Sequence, residues 1–328
     1  MNAAFNRKLG KSGIEVSAMG LGCWAIGGLF WRGDKPLGWG DVDDRESTRA
    51  IHSALDLGIN FFDTAAVYGV GHSESILGRA VKDRRGQVVI ATKFGYTFDV
   101  MSREVTGSNL SPEHIRQECQ GSLRRLETDY IDLYLLHVGS VSEEEAEFVA
   151  VELEKLCEEG SIRSYGWSTD NIRCARLFAD KENCTAIENE LNVLNDAGEM
   201  LELCEEYDLA SIDRTPLAMG LLTGKFEATS HLPYDDVRGD EPEWMKYFKD
   251  GKPSPEWLEK LDAVREILTS SGRTLAQGAL AWIWGRSDRT IPIPGFRTVE
   301  QVKENAAAMQ LGPLTDIQMR EIDDILKR

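Results

Sequence analysis

The sequence is short of the features that mark membrane proteins, metalloproteins and nucleic-acid binders. No apolar run approaches the ~18 residues of a spanning helix. The six cysteines (Cys23, Cys119, Cys157, Cys174, Cys184 and Cys204) stand singly, without CxxC spacing, and the five histidines form neither HExxH nor HxH. Free thiols in a reducing compartment and no metal site are the expectation. Basic residues are outnumbered, 37 Lys and Arg against 55 Asp and Glu, a net charge of −18 with no long cationic cluster. Nucleic acids and anionic membranes need a basic footprint, so neither is an expected partner. The chain opens without a signal-peptide pattern, and a cytoplasmic location is expected.

What is present is a periodic α/β pattern. The 328 residues, 42% of them hydrophobic, supply ample core. Residues 7–16 (RKLGKSGIEV) read as a hairpin around two glycines. Strands are then expected at 17–22, 59–63, 88–93, 131–137, 162–168, 185–190, 209–213 and 290–294. Helices are expected at 44–57, 73–82, from Ser111-Pro112 onward, and at 142–159, 171–179, 197–207, 299–308 and 315–327. This alternation predicts an α/β fold, a closed parallel (β/α)₈ TIM barrel forming a single domain over 1–328, with the hairpin plugging its N-terminal end. A doubly wound sheet is the alternative, but GLGCWAIGG after the first strand does not have GxGxxG spacing. Residues 23–43 and 215–255 are long βα loops and belong to the C-terminal rim, where barrel enzymes hold their sites.

The strand ends carry the chemistry. Asp63 ends the second strand, with Tyr68 in its loop; Lys93 ends the third and His137 the fourth. Any one of them alone has an ordinary structural role, as a turn cap, a loop aromatic or a solvated strand end. Together, at successive strand ends, they suit acid catalysis at a carbonyl. An ammonium at Lys93 is expected to lower the pKa of Tyr68, Asp63 to hold that ammonium, and His137 to orient the substrate oxygen. With no nucleophile or metal, a polarised carbonyl calls for hydride from a cofactor.

The segments GINFFDTAAVYGVGHSE, ATK, DLYLLH, GWS, PLAMGLLTGK and IPIPGFRTVEQVKEN, in this order and at these strand ends, resemble the aldo-keto reductase family over essentially the whole chain. The resemblance implies a catalytic tetrad of Asp63, Tyr68, Lys93 and His137, with Tyr68 exchanging the proton and hydride passing directly between a nicotinamide and a carbonyl or alcohol carbon. It implies that Cys23, Trp24 and Asp63 line the nicotinamide ribose and that Ser168 and Thr169 meet the carboxamide. Thr215, Pro216, Leu217, Gly224 and Lys225 would wrap the pyrophosphate. Gly295, Arg297, Gln301, Glu304 and Asn305 would hold the adenosine. Arg297, at a helix entrance, is the candidate for a 2′-phosphate and favours NADP(H), with NAD(H) possible.

Three residues depart from the family's usual pattern: Thr169 for asparagine, Glu188 for glutamine, and Arg214 for an aromatic that stacks on the nicotinamide. Glu188 and Arg214 are expected in the cofactor site, either neutralising each other or with Glu188 favouring the cationic ring. Phe30, Trp31 and Trp39 are candidates for an aromatic substrate wall, whereas Tyr234, Trp244, Tyr247 and Phe248 are expected to pack the second long loop. The leading function is NADPH-dependent reduction of a small aldehyde or ketone. Alternatives are a sugar or polyol dehydrogenase, or a regulatory subunit like the potassium-channel β-subunits. Nothing in a single sequence reads as an oligomer interface.

Overall fold

The eight strand segments pair in sequence order in a computed structural model that describes residues 5–239 and 244–328. They are β1 (Leu21–Gly22), β2 (Phe61–Asp63), β3 (Val89–Phe94), β4 (Leu133–Leu136), β5 (Tyr165–Ser168), β6 (Cys184–Glu190), β7 (Ala210–Arg214) and β8 (Thr290–Pro292). The two edges of this parallel sheet meet through a Gly22–Gly295 bridge, and the Gly20 and Gly22 amides donate to the Pro292 and Pro294 carbonyls at 3.0 and 3.1 Å. A Cβ on Gly22 would lie 2.8 Å from the Ile293 carbonyl oxygen, so the closure needs glycine there. The result is a (β/α)₈ barrel.

Two apolar layers hold it. Inside the barrel, Phe61, Ala91, Leu133, Leu135, Ala186, Ile212 and Ile291 form one buried cluster. Leu9 and Val16, in the connection and second strand of the hairpin Asn6–Lys8/Glu15–Ser17, join that cluster and plug the N-terminal end as expected. Outside, the helices cover the sheet: α1 (Asp44–Asp56), α2 (His72–Val81), α3 (Pro112–Leu126), α4 (Glu143–Glu158), α5 (Ile172–Ala179), α6 (Gly198–Glu206), α7 (Pro255–Leu268), α8 (Leu275–Arg286), α9 (Val299–Leu311) and α10 (Asp316–Leu326). Their starts are written locally. Asp43 accepts from the Arg45 and Glu46 amides, and Ser142–Glu145, Thr298–Gln301 and Thr315–Gln318 form capping boxes. Among the described residues no helix is long and apolar enough to cross a membrane.

The differences from expectation are local. The first strand is shorter than 17–22, because Ser17 pairs within the hairpin. Helices α7 and α8 went unread: α8 is buried from Leu275 through Trp284, so it shows no polar face and no helical stripe. The 215–255 connection, of which 240–243 lies outside the described residues, holds a 3₁₀ turn (Ala218–Thr223) and a small hairpin (Phe248–Lys249/Lys252–Pro253). A second hairpin after β3 (Tyr96–Asp99/Glu104–Ser108) joins Trp31–Arg32 and Lys35–Pro36 in a four-stranded sheet over the rim. Its strands are short and half-exposed, and the alternation of Tyr96 and Phe98 with Thr97 and Asp99 spans only four residues.

Candidate active site

Side chains on a strand alternate between faces, so residues two apart point the same way. Along the barrel's inner face this rule converts core into site. Phe61 is followed by Asp63, Ala91 by Lys93, Leu135 by His137, Gly166 by Ser168, Ala186 by Glu188 and Ile212 by Arg214. The apolar member of each pair fills the barrel, and the polar member stands one step nearer the C-terminal mouth. There a cavity of about 1050 Å³ opens, lined by Asp63, Tyr68, His137, Ser168, Glu188 and Arg214 at one end and by Gly295, Arg297, Gln301, Glu304 and Asn305 at the other.

At the floor, Lys93 Nζ donates to Asp63 Oδ1 and Oδ2 at 2.7 and 2.5 Å and to the Thr64 carbonyl at 2.9 Å. Tyr68 OH lies 3.5 Å from the same nitrogen. Glu188 Oε2 is 3.3 Å away, within ion-pair range but accepting no hydrogen bond, while Oε1 accepts from Ser168 Oγ at 3.0 Å. Ser168 and Glu188 are Cα partners across β5 and β6, which fixes this contact. Burial opposes the Lys93 charge, yet Asp63 and Glu188 outweigh it and hold the ammonium above its usual range. Burial, then the Glu188 charge, pushes Asp63 upward against the pull of Lys93.

Tyr68 corrects an expectation. Burial holds its phenol above the ordinary tyrosine value; Lys93 pulls down as foreseen, but desolvation is larger and the two carboxylates oppose the lysine. The phenol is therefore a proton holder at neutral pH. His137 moves the other way: burial, Lys93 and Arg214 press it well below the usual histidine value, leaving a neutral imidazole beside Tyr68, with ring centroids 5.7 Å apart. The Tyr68 loop is seated by Gly69, at φ +58°, where a Cβ would stand 1.8 Å from the Gly27 carbonyl oxygen. That backbone contact sets Trp24 over Tyr68, with centroids 5.9 Å apart and rings stacked.

Glu188 and Arg214 do not pair with each other as one expectation held. Glu188 belongs to Lys93 and Ser168, whereas Arg214 is ion-paired with Asp170. Thr169, expected near the carboxamide, lines the cavity but donates its hydroxyl to the Gly139 carbonyl at 2.6 Å. Thr215, Pro216 and Leu217 line the wall in a strained run, with Thr215, Ala218 and Met219 at positive φ. Lys225 lines the cavity, but Gly224 does not; its left-handed backbone turns the chain between Thr223 and Lys225, which do.

Three other assignments change. Cys23 is fully buried off the cavity, and its neighbours Gly22 and Trp24 do the lining. Trp31 also leaves the wall, because strand alternation gives that face to Phe30 and Arg32. Trp39 lines it as expected, but so do Trp244 and Tyr247, against the expectation that they only pack the loop; Phe248 packs, and Tyr234 is 89% exposed. Tyr247 donates to Glu190, and Lys246 is 3.1 Å from the same carboxylate, which fastens the second loop onto the rim. Arg297 donates to the Trp39 carbonyl at 2.9 Å and to the Asp41 carbonyl, so it ties the first long loop to the start of α9. The amides there are already satisfied: Val299 by Glu46 at 2.9 Å, and Arg297 by Gln301 at 2.7 Å.

The family profile described as "Aldo/keto reductase family" matches residues 18–327. The chain belongs to this family. The NADH-specific methylglyoxal reductase of Escherichia coli is 35% identical, over 98% of each chain. The aldo-keto reductase yakc [NADP(+)] of Schizosaccharomyces pombe is 30% identical, over 96% of this chain and 89% of that one. Among solved structures, the glycerol dehydrogenase AKR11B4 of Gluconobacter oxydans superposes with a TM-score of 0.82 at 31% identity, covering 99% of this chain and 96% of that one. The holo form of AKR11C1 from Bacillus halodurans gives 0.78 at 27% identity, covering 98% and 96%.

Within this aldo/keto reductase, several cavity residues escaped the sequence reading: Arg32, Glu46, Tyr96, Val105, Asp170 and Glu190. Tyr96 stands beside His137 with centroids 5.2 Å apart. Only the Asp170–Arg214 contact had a signal in the chain, since an arginine ending an inward-facing strand in a barrel must find a carboxylate.

Proposed function

We propose that the protein reduces a small aldehyde or ketone to an alcohol in the cytoplasm, taking hydride from NADPH or NADH. The observation that carries this reading is the Tyr68 phenol, 3.5 Å from a lysine clamped by Asp63, facing a cavity long enough for an extended ligand. The donor set fits a nicotinamide dinucleotide. An unsatisfied buried carboxylate oxygen, on Glu188, lies at one end, and Lys225 and Arg297 line the other. A bound nicotinamide would supply the hydride. The chain's own residues do the rest. Tyr68 donates the proton to the carbonyl oxygen, and Lys93, positioned by Asp63, steadies the phenolate left behind. Neutral His137 orients the carbonyl, while Trp24, Phe30, Trp39 and Trp244 exclude water. Ser168, Glu188 and Arg214 hold the nicotinamide end. The 215–225 segment, Gly295, Arg297, Gln301, Glu304 and Asn305 hold the remainder.

The test is spectrophotometric. NADPH or NADH consumption is expected with methylglyoxal, nitrobenzaldehyde or another simple carbonyl. Turnover confined to sugars or polyols with the oxidised cofactors would favour the dehydrogenase alternative. Tight cofactor binding without turnover in either direction would move the reading to a regulatory role.

A further inference from the structure

Asp63 and Glu188 both face the Lys93 ammonium, so two carboxylates share one cation in a site excluded from water. The surrounding charges balance elsewhere. Arg214 is taken by Asp170, and Lys246 sits on Glu190. Asp63 takes the Lys93 hydrogen bonds at 2.7 and 2.5 Å, and Glu188, 3.3 Å from the same ammonium, is left facing the cavity: it lines it, is 2% exposed, and its Oε2 accepts no hydrogen bond. A buried carboxylate oxygen without a donor is costly, and a ligand that brings a donor or a positive charge relieves it.

We propose that Glu188 makes the site select the oxidised, cationic nicotinamide over the reduced, neutral one. This rests on the nicotinamide reading above. Both forms carry a carboxamide N–H that Glu188 can accept, so that hydrogen bond does not distinguish them. The ring charge does, because it interacts with the carboxylate across a poorly screened gap only when the ring is oxidised. The bound equilibrium is thereby pulled toward oxidised cofactor plus alcohol, which favours hydride transfer to the carbonyl relative to an otherwise identical site with a neutral residue.

The experiment titrates wild type, Glu188→Gln and Glu188→Asp with NADP⁺ and with NADPH, reading each Kd by calorimetry or fluorescence at pH 7. Glu188→Gln is expected to raise the ratio Kd(oxidised)/Kd(reduced) by about tenfold or more. Glu188→Asp keeps the charge and is expected within about threefold of wild type. Ser168→Ala removes the hydroxyl that takes up part of the charge and is expected to lower the ratio by about twofold to fivefold. That variant decides the matter if the glutamine protein does not fold. An unchanged ratio in a folded Glu188→Gln protein, or failing that in Ser168→Ala, overturns the inference. Failure of the wild type to bind either form, with NAD⁺ and NADH titrated in the same way and also failing, overturns the nicotinamide reading instead.

Discussion

The two ends of the cavity are built on opposite plans. At the tetrad end each polar group except Tyr68 rises from a strand end of the barrel, and Lys93, Asp63, Ser168 and Glu188 are buried. At the far end Arg297, Gln301 and Glu304 are exposed, and they sit on a loop and a helix start that meet the first long loop. Burial is what separates their chemistry. In the barrel mouth desolvation is the largest influence on Tyr68, Lys93, Asp63 and His137, and every neighbouring charge counts. At the far end water screens the charges, and directional hydrogen bonds decide what is held. The dry end bears on reactivity and on the redox form of the ligand, and the open end on how the rest of the ligand is held.

The contrast can be broken first at Tyr68. Tyr68→Phe removes the proton donor and is expected to lower turnover by ~10² to 10⁴ with cofactor affinity retained. Undiminished activity would end the assignment of Tyr68 as general acid. In the wild type the raised phenol stays protonated below the ordinary tyrosine value of ~10. Carbonyl reduction should then be level across neutral to mildly alkaline pH, while alcohol oxidation, which needs the phenolate, should rise with pH.

Lys93→Met probes the dry end by stability. It strands Asp63 and Glu188 without their cation and is expected to cost about 3–5 kcal/mol, read from the urea midpoint. Asp63, already pushed upward by burial and the Glu188 charge, would then have its folded pKa raised further above the unfolded one. Its protonated form stabilises the fold at low pH, and that contribution is lost as pH rises. The deficit should therefore deepen from acid to alkaline buffer. A deficit independent of pH would mean that the carboxylates are not what the lysine compensates.

The smallest effect is expected at the open end. Arg297→Gln should weaken NADPH binding by roughly tenfold to a hundredfold, the scale of a lost charge-assisted contact, and NADH by less than about threefold. Equal weakening of both would show that Arg297 serves through its tie to the Trp39 and Asp41 carbonyls rather than through a 2′-phosphate.

Much of this was legible in the chain because it is local. Capping residues begin many of the helices, and several barrel strands are short apolar runs with a polar residue at or near the end. Asp63, Tyr68, Lys93 and His137 stand at or just after those ends, so their gathering at one rim could be expected from the chain. Helix α8 escaped because burial from Leu275 through Trp284 erased its polar face, and the rim hairpin at 96–108 because its alternation of Tyr96 and Phe98 is only four residues long. What the tertiary structure alone decided were quantities between segments distant in sequence. These are the sign of the Tyr68 shift, the choice of Lys93 rather than Arg214 as the partner of Glu188, the exit of Trp31 and Cys23 from the cavity wall, and the use of Arg297 as a tie between loops. Residue type states which groups can carry charge. Only packing sets their distances and how much water is left around them, and those two quantities determine which charge prevails.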